Sequence, residues 1–150
     1  MLQEFLQSDI THVTFKIILS VTLSSIVGLE REFRGKIAGL RTHILVGLGS
    51  TLIVLTSLYL FDIYHTATNP VDPSRLIAGL VTGIGFLCGG TIIKDRDSVR
   101  GLTTSATLWI VSCLGISVGV GHYSAAIIGT IVVFLVLTVV RYAEMKFFRD

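Results

Sequence analysis

Charged residues are scarce in this chain. Asp, Glu, Lys and Arg make up only 15% of its 150 residues, whereas hydrophobic residues make up 51%. Soluble domains typically carry about 25% charged residues, and a disordered chain combines low hydrophobicity with a high net charge. Both classes are therefore excluded. The mean hydropathy of +0.79 indicates an integral membrane protein.

Cysteine and proline are also rare, with two residues of each. Two cysteines exclude a disulfide scaffold, and two prolines exclude a proline-rich linker. Twelve basic and ten acidic residues give a formal net charge of +2, which is too small to indicate a nucleic-acid partner. Residues 1–11 contain Glu4 and Asp9 but no Lys or Arg, so the start of the chain does not resemble a cleaved signal peptide.

Long uncharged stretches predict five transmembrane helices, because a spanning helix needs about 20 mostly apolar residues. The stretch 101–140 is too long for one helix and is divided at Gly119, Gly121 and His122. The first span must reach back towards Ile10 and so contains Lys16, whose amine is expected to snorkel to the interface. The predicted spans are about 10–29, 42–61, 76–93, 103–120 and 123–140.

Basic residues alternate between the segments that connect these spans. Ten of the twelve Lys and Arg residues lie in segments 30–41 and 94–100 and in the tail after residue 140. The alternate segments hold only Arg75. The positive-inside rule places the basic segments in the cytoplasm. The sequence therefore predicts an all-α membrane protein with its N-terminus outside, its C-terminus in the cytoplasm, and no room for a soluble domain.

Glycines recur at a spacing of four in the third and fourth spans. The pairs are Gly79 and Gly83, Gly85 and Gly89, and Gly115 and Gly119. Small residues at this spacing let helix backbones approach closely, so we expect these glycines to be helix-packing positions. An alternative at Gly89, Gly90 and Thr91 is a broken helix whose exposed backbone groups line a cavity.

The loop before the third span is rigid and acidic. Asp72 or Ser74 is expected to cap the following helix, where a carboxylate interacts favourably with the helix dipole. The alternative is an outer cation site formed by Asp62 and Asp72, because Mg²⁺ is usually held by one or two carboxylates and several waters.

Hydroxyl groups mark the start of the fourth span. Thr103 and Thr104 can satisfy free backbone amides there. Together with Thr91, and with Arg41 and Arg100 nearby, they suit an anion or a lipid headgroup at a helix N-terminus.

Residues 30–36 form a short charged linker. On a helix, Glu30 with Arg34 and Glu32 with Lys36 would be favourable pairs four residues apart. We interpret this segment as a solvated turn facing lipid headgroups; the alternative is a docking site for a partner or for anionic lipid.

No residue set for catalysis is evident. The four histidines lack metal-ligand spacing, and Cys88 and Cys113 lie on different spans as expected free thiols. Gly83 and Gly85 match the first two glycines of the dinucleotide-binding motif G-x-G-x-x-G, but the third position is occupied by Cys88. The predicted spans contain no Asp or Glu, which weighs against a proton-coupled carrier. We expect a protein that is not an enzyme and has no cofactor.

Several ordered motifs resemble the MgtC/SapB family of bacterial membrane proteins, and the resemblance covers about residues 15–140. They are Gly28-Leu-Glu-Arg-Glu32, Ala38-Gly-Leu-Arg-Thr-His43, Asp72-Pro-Ser-Arg75, Gly83-Ile-Gly-Phe-Leu87, and Gly101-Leu-Thr-Thr-Ser-Ala106 with Trp109. The family's third-span motif usually reads G-F-L-G-A-G-T-I. Cys88 and Gly89 replace its Gly-Ala pair here, so local helix packing is expected to differ.

The resemblance implies a bacterial inner-membrane protein linked to magnesium homeostasis or to growth in low magnesium, and Mg²⁺ is a possible ligand on that ground alone. It implies a modulator of other membrane machinery more than a pump, with an oligomeric ion conduit as the alternative. Virulence-associated members also carry a C-terminal cytoplasmic domain, which we do not expect here. The partners implied are lipid, further copies of the chain or other membrane proteins. The polar-site candidates at span ends are Arg41, His43, Asp72, Arg75, Thr91, Thr103 and Thr104.

Overall fold

Most of the chain is helical. The computed structural model describes residues 2–147. Its helices are α1 (Leu2–Phe33), α2 (Leu40–Tyr64), α3 (Ser74–Gly90), α4 (Leu102–Val120), α5 (Tyr123–Leu135) and α6 (Arg141–Phe147). A π-helical segment at Val136–Val140 joins α5 to α6 without a break. A short antiparallel hairpin of β1 (Ile93–Lys94) and β2 (Val99–Arg100), which pairs Ile93 with Arg100, precedes α4.

Four helical stretches are long and apolar enough to cross a membrane, among the residues described. They are Ile10–Phe33, Leu40–Tyr64, Leu102–Val120 and Tyr123–Phe147. The remaining apolar helix, Ser74–Gly90, has 17 residues and lies at the short end of the range for a span. The predicted helical fold, with several helices long and apolar enough to span a membrane, is therefore confirmed. The fifth crossing and the orientation stay predictions, and Arg149 of the basic tail lies outside the described residues.

Glycines in the left-handed conformation end two of the helices. At the end of α4, Gly121 has φ +89° and donates its amide to Val118, while His122 donates to Ser117. This Schellman arrangement satisfies carbonyls that the helix leaves free. Gly35, with φ +59°, ends α1 in the same way. The predicted division near Gly121 is confirmed.

Three helices form the centre of the bundle. α1, α2 and α4 pack against one another; α3 packs against α2 and α4, and α5 packs against α1 and α4. The main apolar core is made of Val27, Ala38, Val46, Cys88, Leu108, Val111, Leu114 and Leu137. The segments 35–37, 99–104 and 136–145 meet around one cavity. We call this side of the bundle the basic end, and the side with residues 65–73 and 121–122 the proline-loop end.

The closest helix contacts involve glycines of α2 and α4. A methyl group on Gly115 would overlap the Gly47 carbonyl oxygen and lie 2.9 Å from the Ser50 Cβ. A methyl group on Gly119 would lie 2.6 Å from the Val54 Cβ. The packing predicted for Gly115 and Gly119 is therefore present within the chain.

Lys16 has a specific partner at the proline-loop end. Its Nζ donates a hydrogen bond of 2.8 Å to the Gly119 carbonyl oxygen, near the end of α4. A cation at a helix C-terminus interacts favourably with the helix dipole. The amine predicted to snorkel to the interface thus also binds the end of a neighbouring helix.

Candidate functional site

Hydroxyl groups fill the seam between α1, α2 and α4. Thr51 Oγ1 lies 2.8 Å from Ser20 Oγ and 2.9 Å from the Gly115 carbonyl oxygen. Ser50 Oγ lies 2.9 Å from Ser112 Oγ. All of these side chains are buried. Within an apolar environment, such bonds satisfy polar groups that have no water to bind, so the seam joins the three helices.

His43 continues this polar seam towards the basic end. The imidazole is fully buried, with Nδ1 2.7 Å from the Gly39 carbonyl oxygen and Nε2 3.1 Å from Thr107 Oγ1. Because a carbonyl can only accept, we assign the proton to Nδ1. His43, a predicted polar-site residue, therefore connects α2 to α4 through Thr107.

A buried ion pair lies at the end of α1. Arg31 is only 2% exposed and pairs with Glu30 through Nε and Nη2. Arg34 Nε lies 2.6 Å from the other oxygen of the same carboxylate, which confirms the predicted pairing of Glu30 with Arg34. The interpretation of residues 30–36 as a solvated turn is wrong for Glu30 and Arg31, because both side chains are buried.

The carboxylate of Glu32 has a different partner from the one predicted. Instead of pairing with Lys36, its Oε2 accepts a hydrogen bond of 2.9 Å from the amide of Leu40, at the start of α2. Lys36 cannot lie one helical turn further along α1, because that helix ends at Phe33. The charged segment therefore closes the turn between α1 and α2.

A cavity of about 1230 Å³ lies at the basic end. It opens between the α1–α2 turn, the start of α4 and the segment from Val136 to Met145. Its charged residues are Arg31, Lys36, Arg100, Arg141 and Glu144. We call it the basic cavity, because basic side chains outnumber acidic ones by four to one on its wall.

The first turn of α4 forms one wall of the basic cavity. Gly101 precedes the helix with φ +89°, and a Cβ there would overlap the Thr91 carbonyl oxygen. Glycine is the residue that fits this conformation without strain. No side chain caps α4, so the amides of residues 102–104 have no hydrogen-bond partner among the residues described.

The predicted polar-site residues do not form a single site. Thr103 and Thr104 line the basic cavity together with Arg100. Arg41 is exposed at the start of α2 and does not line that cavity. The Thr91 hydroxyl donates to the Cys88 carbonyl oxygen within its own helical turn. The sequence therefore located the N-terminus of α4 correctly, but the cavity residues after Val136 were missed.

Asp72 and Arg75 lie at the opposite, proline-loop end. The Asp72 carboxylate accepts a hydrogen bond of 2.9 Å from the Ser74 amide at the start of α3, in agreement with the predicted capping role. Hydrogen bonds from the hydroxyl and amide of Ser74 lower the pKa of Asp72 below its ordinary value. Within the described residues, no group of three or more His, Cys, Asp or Glu is placed to hold a metal ion. The cation site at Asp62 and Asp72 stays a prediction.

One side of α3 carries glycines that contact no other helix in the described part of the chain. A Cβ placed on Gly79, Gly83, Gly85, Gly89 or Gly90 would have no atom of another residue within 4 Å, its own helix backbone and chain neighbours aside. On the same side, Phe86 is 89% exposed. We call this side the open face of α3. The packing predicted for Gly79, Gly83, Gly85 and Gly89 is thus absent within one chain, and packing against a partner stays a prediction.

The helices and their polar seam define a multi-pass helical membrane protein. The family model described as "MgtC family" matches residues 17–146. The chain belongs to the MgtC family, as the sequence motifs indicated. No solved structure matches the chain.

Curated relatives carry related names. The chain is 41% identical over 125 residues to "Putative magnesium transporter YhiD" of Escherichia coli K12, an alignment covering 83% of this chain and 58% of that protein. It is 35% identical over 130 residues to "Protein MgtC" of Salmonella typhimurium LT2, covering 87% of this chain and 53% of that protein. The chain thus spans little more than half the length of these relatives.

Proposed function

We propose that this protein is a non-enzymatic modulator in the bacterial inner membrane that acts by binding the transmembrane helix of a partner, in magnesium homeostasis or adaptation to low magnesium. The basic end faces the cytoplasm and the N-terminus lies outside, in agreement with the positive-inside rule. The names of the relatives support the link to magnesium. The partner is a second copy of the chain or another membrane protein.

The open face of α3 is the observation that carries this proposal. Five glycines leave the helix backbone bare, and in lipid such small residues let another helix approach closely enough for extensive van der Waals contact. The seam hydroxyls of Ser20, Ser50, Thr51 and Ser112, in contrast, are already bonded to one another and to the backbone, and of the seam residues described only the buried Ser24 Oγ beside Gly47 lacks a partner. The seam is thus suited to holding the bundle together, and α3 to binding a further helix.

Crosslinking from the open face tests this proposal. We expect a photoreactive amino acid at Thr82, which is exposed on α3, to give discrete crosslinked products in bacterial membranes. Gly83→Leu should abolish them, because the side chain would separate the two helices. Gly49→Leu is the matched control, since a Cβ at Gly49 on α2 also has nothing within 4 Å. Mass spectrometry of the products distinguishes a second copy from another protein. Products unchanged by Gly83→Leu would contradict the proposal.

An oligomeric ion conduit is the second candidate. It is supported by the name of the relative "Putative magnesium transporter YhiD". The groove of about 510 Å³ between α2 and α3 gives it little support, because Thr56 and Arg75 are the polar side chains on an otherwise apolar wall. If the protein is a modulator, proteoliposomes holding the folded protein should take up Mg²⁺ no faster than empty liposomes, as measured with a trapped indicator. Saturable uptake that falls in Asp72→Asn would instead establish the conduit.

A further inference from the structure

We propose that the basic cavity binds a phosphate-bearing anion, with the phosphate at the N-terminus of α4 between Arg31, Arg100 and Arg141. The ligand is the headgroup of an anionic phospholipid or a free phosphate. This proposal does not depend on the open face of α3, because it concerns other residues at a different part of the bundle.

Two buried polar side chains on the wall of the cavity are left incompletely bonded. Thr104 is only 4% exposed, yet its hydroxyl has no hydrogen-bond partner in the described part of the chain. Arg31, 2% exposed, uses Nε and Nη2 for Glu30, while no partner is found for Nη1 between residues 2 and 147. Neither donor is closed off in the core, where Ser24 Oγ is the one buried side-chain atom without a partner among the residues described. Both residues line the cavity instead, so a ligand held there can complete their hydrogen bonds.

The backbone supplies further donors beside Thr104. The left-handed Gly101 followed by the right-handed first turn of α4 is the combination that forms an anion-binding nest of successive amides. The amides of residues 102–104 have no partner among the residues described. The positive end of the helix dipole points to the same place. Phosphate has the charge and the several acceptor oxygens that such a site requires.

The charge balance of the wall also favours an anion. Lys36, Arg100 and Arg141 have no ion-pair partner among the residues described, and Glu144 is the single acidic residue that lines the cavity. Arginine is suited to phosphate because its planar fork can bind two oxygens at once. The cavity therefore resembles a phosphate site more than a carboxylate-lined cation site.

The wall formed by residues 136–145 is partly apolar. Val136, Leu137 and Val140 of the π-helical segment and Met145 of α6 face the cavity, and short π-helical segments occur frequently at functional sites. Ligand pockets commonly measure about 300–1,000 Å³, so the 1230 Å³ of this cavity exceeds what a phosphate ion alone fills. The apolar wall gives acyl chains a surface to contact, which favours a lipid as the source of the phosphate.

Ligand titrations of the purified protein in detergent test the proposal. The melting temperature is followed while short-chain phosphatidylglycerol, phosphatidylcholine with the same acyl chains, or inorganic phosphate at constant ionic strength is added. We expect a saturable increase with phosphatidylglycerol or with phosphate, but not with phosphatidylcholine. Saturation by phosphatidylglycerol alone identifies a headgroup site; saturation by phosphate that competes with the lipid identifies a free anion.

Matched variants locate the site. Arg100→Gln and Thr104→Val should raise the half-saturating concentration by about tenfold to a hundredfold and by several-fold respectively, because they remove a charged and a neutral hydrogen-bond donor. Arg96→Gln makes the same change in net charge in the same hairpin but lies off the cavity wall, so its effect should stay below about twofold. Melting without ligand verifies that each variant folds.

Two results would overturn the proposal. One is an equal loss of affinity in Arg96→Gln and Arg100→Gln, which would mean that diffuse surface charge attracts the ligand. The other is the same response to phosphatidylglycerol and phosphatidylcholine together with no saturable response to phosphate. Crosslinking from Thr82 tests the proposed helix binding by α3, whereas the titrations test the phosphate site. Each proposal can therefore fail without the other.

Discussion

Gly115→Val is expected to destabilise the bundle by about 3 kcal/mol or more, because overpacking against atoms that cannot move is among the costly core changes. The first added carbon would overlap the Gly47 carbonyl oxygen and crowd the Ser50 Cβ. Backbone on the facing helix cannot rotate away as a flexible side chain can. The separation of α2 and α4 would also break the bonds from Thr51 to Gly115 and from Ser50 to Ser112.

Size-exclusion chromatography and melting in detergent measure this effect. Gly79→Val is the matched control, since a Cβ on Gly79 meets nothing within 4 Å inside the chain. We expect Gly115→Val to elute as aggregate or to melt far below the parent protein, and Gly79→Val to melt like the parent. Equal melting temperatures for the two variants would show that the α2–α4 contact is looser than described.

The same comparison explains why the glycine spacing was only partly informative. Gly79 with Gly83 and Gly115 with Gly119 follow the same pattern in the sequence, yet only the second pair packs inside the chain. A spacing of four places two residues on one helix face, but does not say which neighbour that face meets. In lipid, both protein and membrane are apolar, so hydrophobicity does not separate the two cases as it does in a soluble protein.

Other parts of the fold could be predicted from the sequence, because neighbouring residues determine them. The lengths of the uncharged stretches predicted the helices, and Gly121 with His122 predicted the turn between α4 and α5. The hydroxyls at Thr103 and Thr104 correctly located the start of α4 as a polar position. These inferences depend on span length and helix termini, which are determined by residues close in the sequence.

The basic cavity could not be predicted from the sequence in the same way. Its walls come from segments around residues 36, 100 and 140, and the last of these carries none of the motifs that resemble the family. The burial of Glu30 and Arg31 was missed for a related reason. A dense run of charges is normally solvated, and nothing in the neighbouring sequence indicates that two of these charged side chains are buried.

That burial makes Glu30→Gln the second variant with a large expected effect. Removing one partner of a buried ion pair leaves an uncompensated charge, which typically costs about 3–5 kcal/mol. Here the charge left behind is the guanidinium of Arg31, which is 2% exposed. We therefore expect a comparable loss in the free energy of unfolding, measured by denaturant titration in mixed micelles.

Three further variants separate this explanation from a general effect of charge. Glu32→Gln makes the same change of charge at an exposed position of α1 and retains an oxygen for the Leu40 amide. Arg34→Gln removes the partner that is 33% exposed, and exposed pairs contribute about 1 kcal/mol or less. Both substitutions should lower the free energy of unfolding only slightly. The double variant Glu30→Gln, Arg31→Gln should recover much of the stability, because no buried charge is then left unpaired. If Glu30→Gln were no worse than Glu32→Gln, the burial of this pair would have to be rejected.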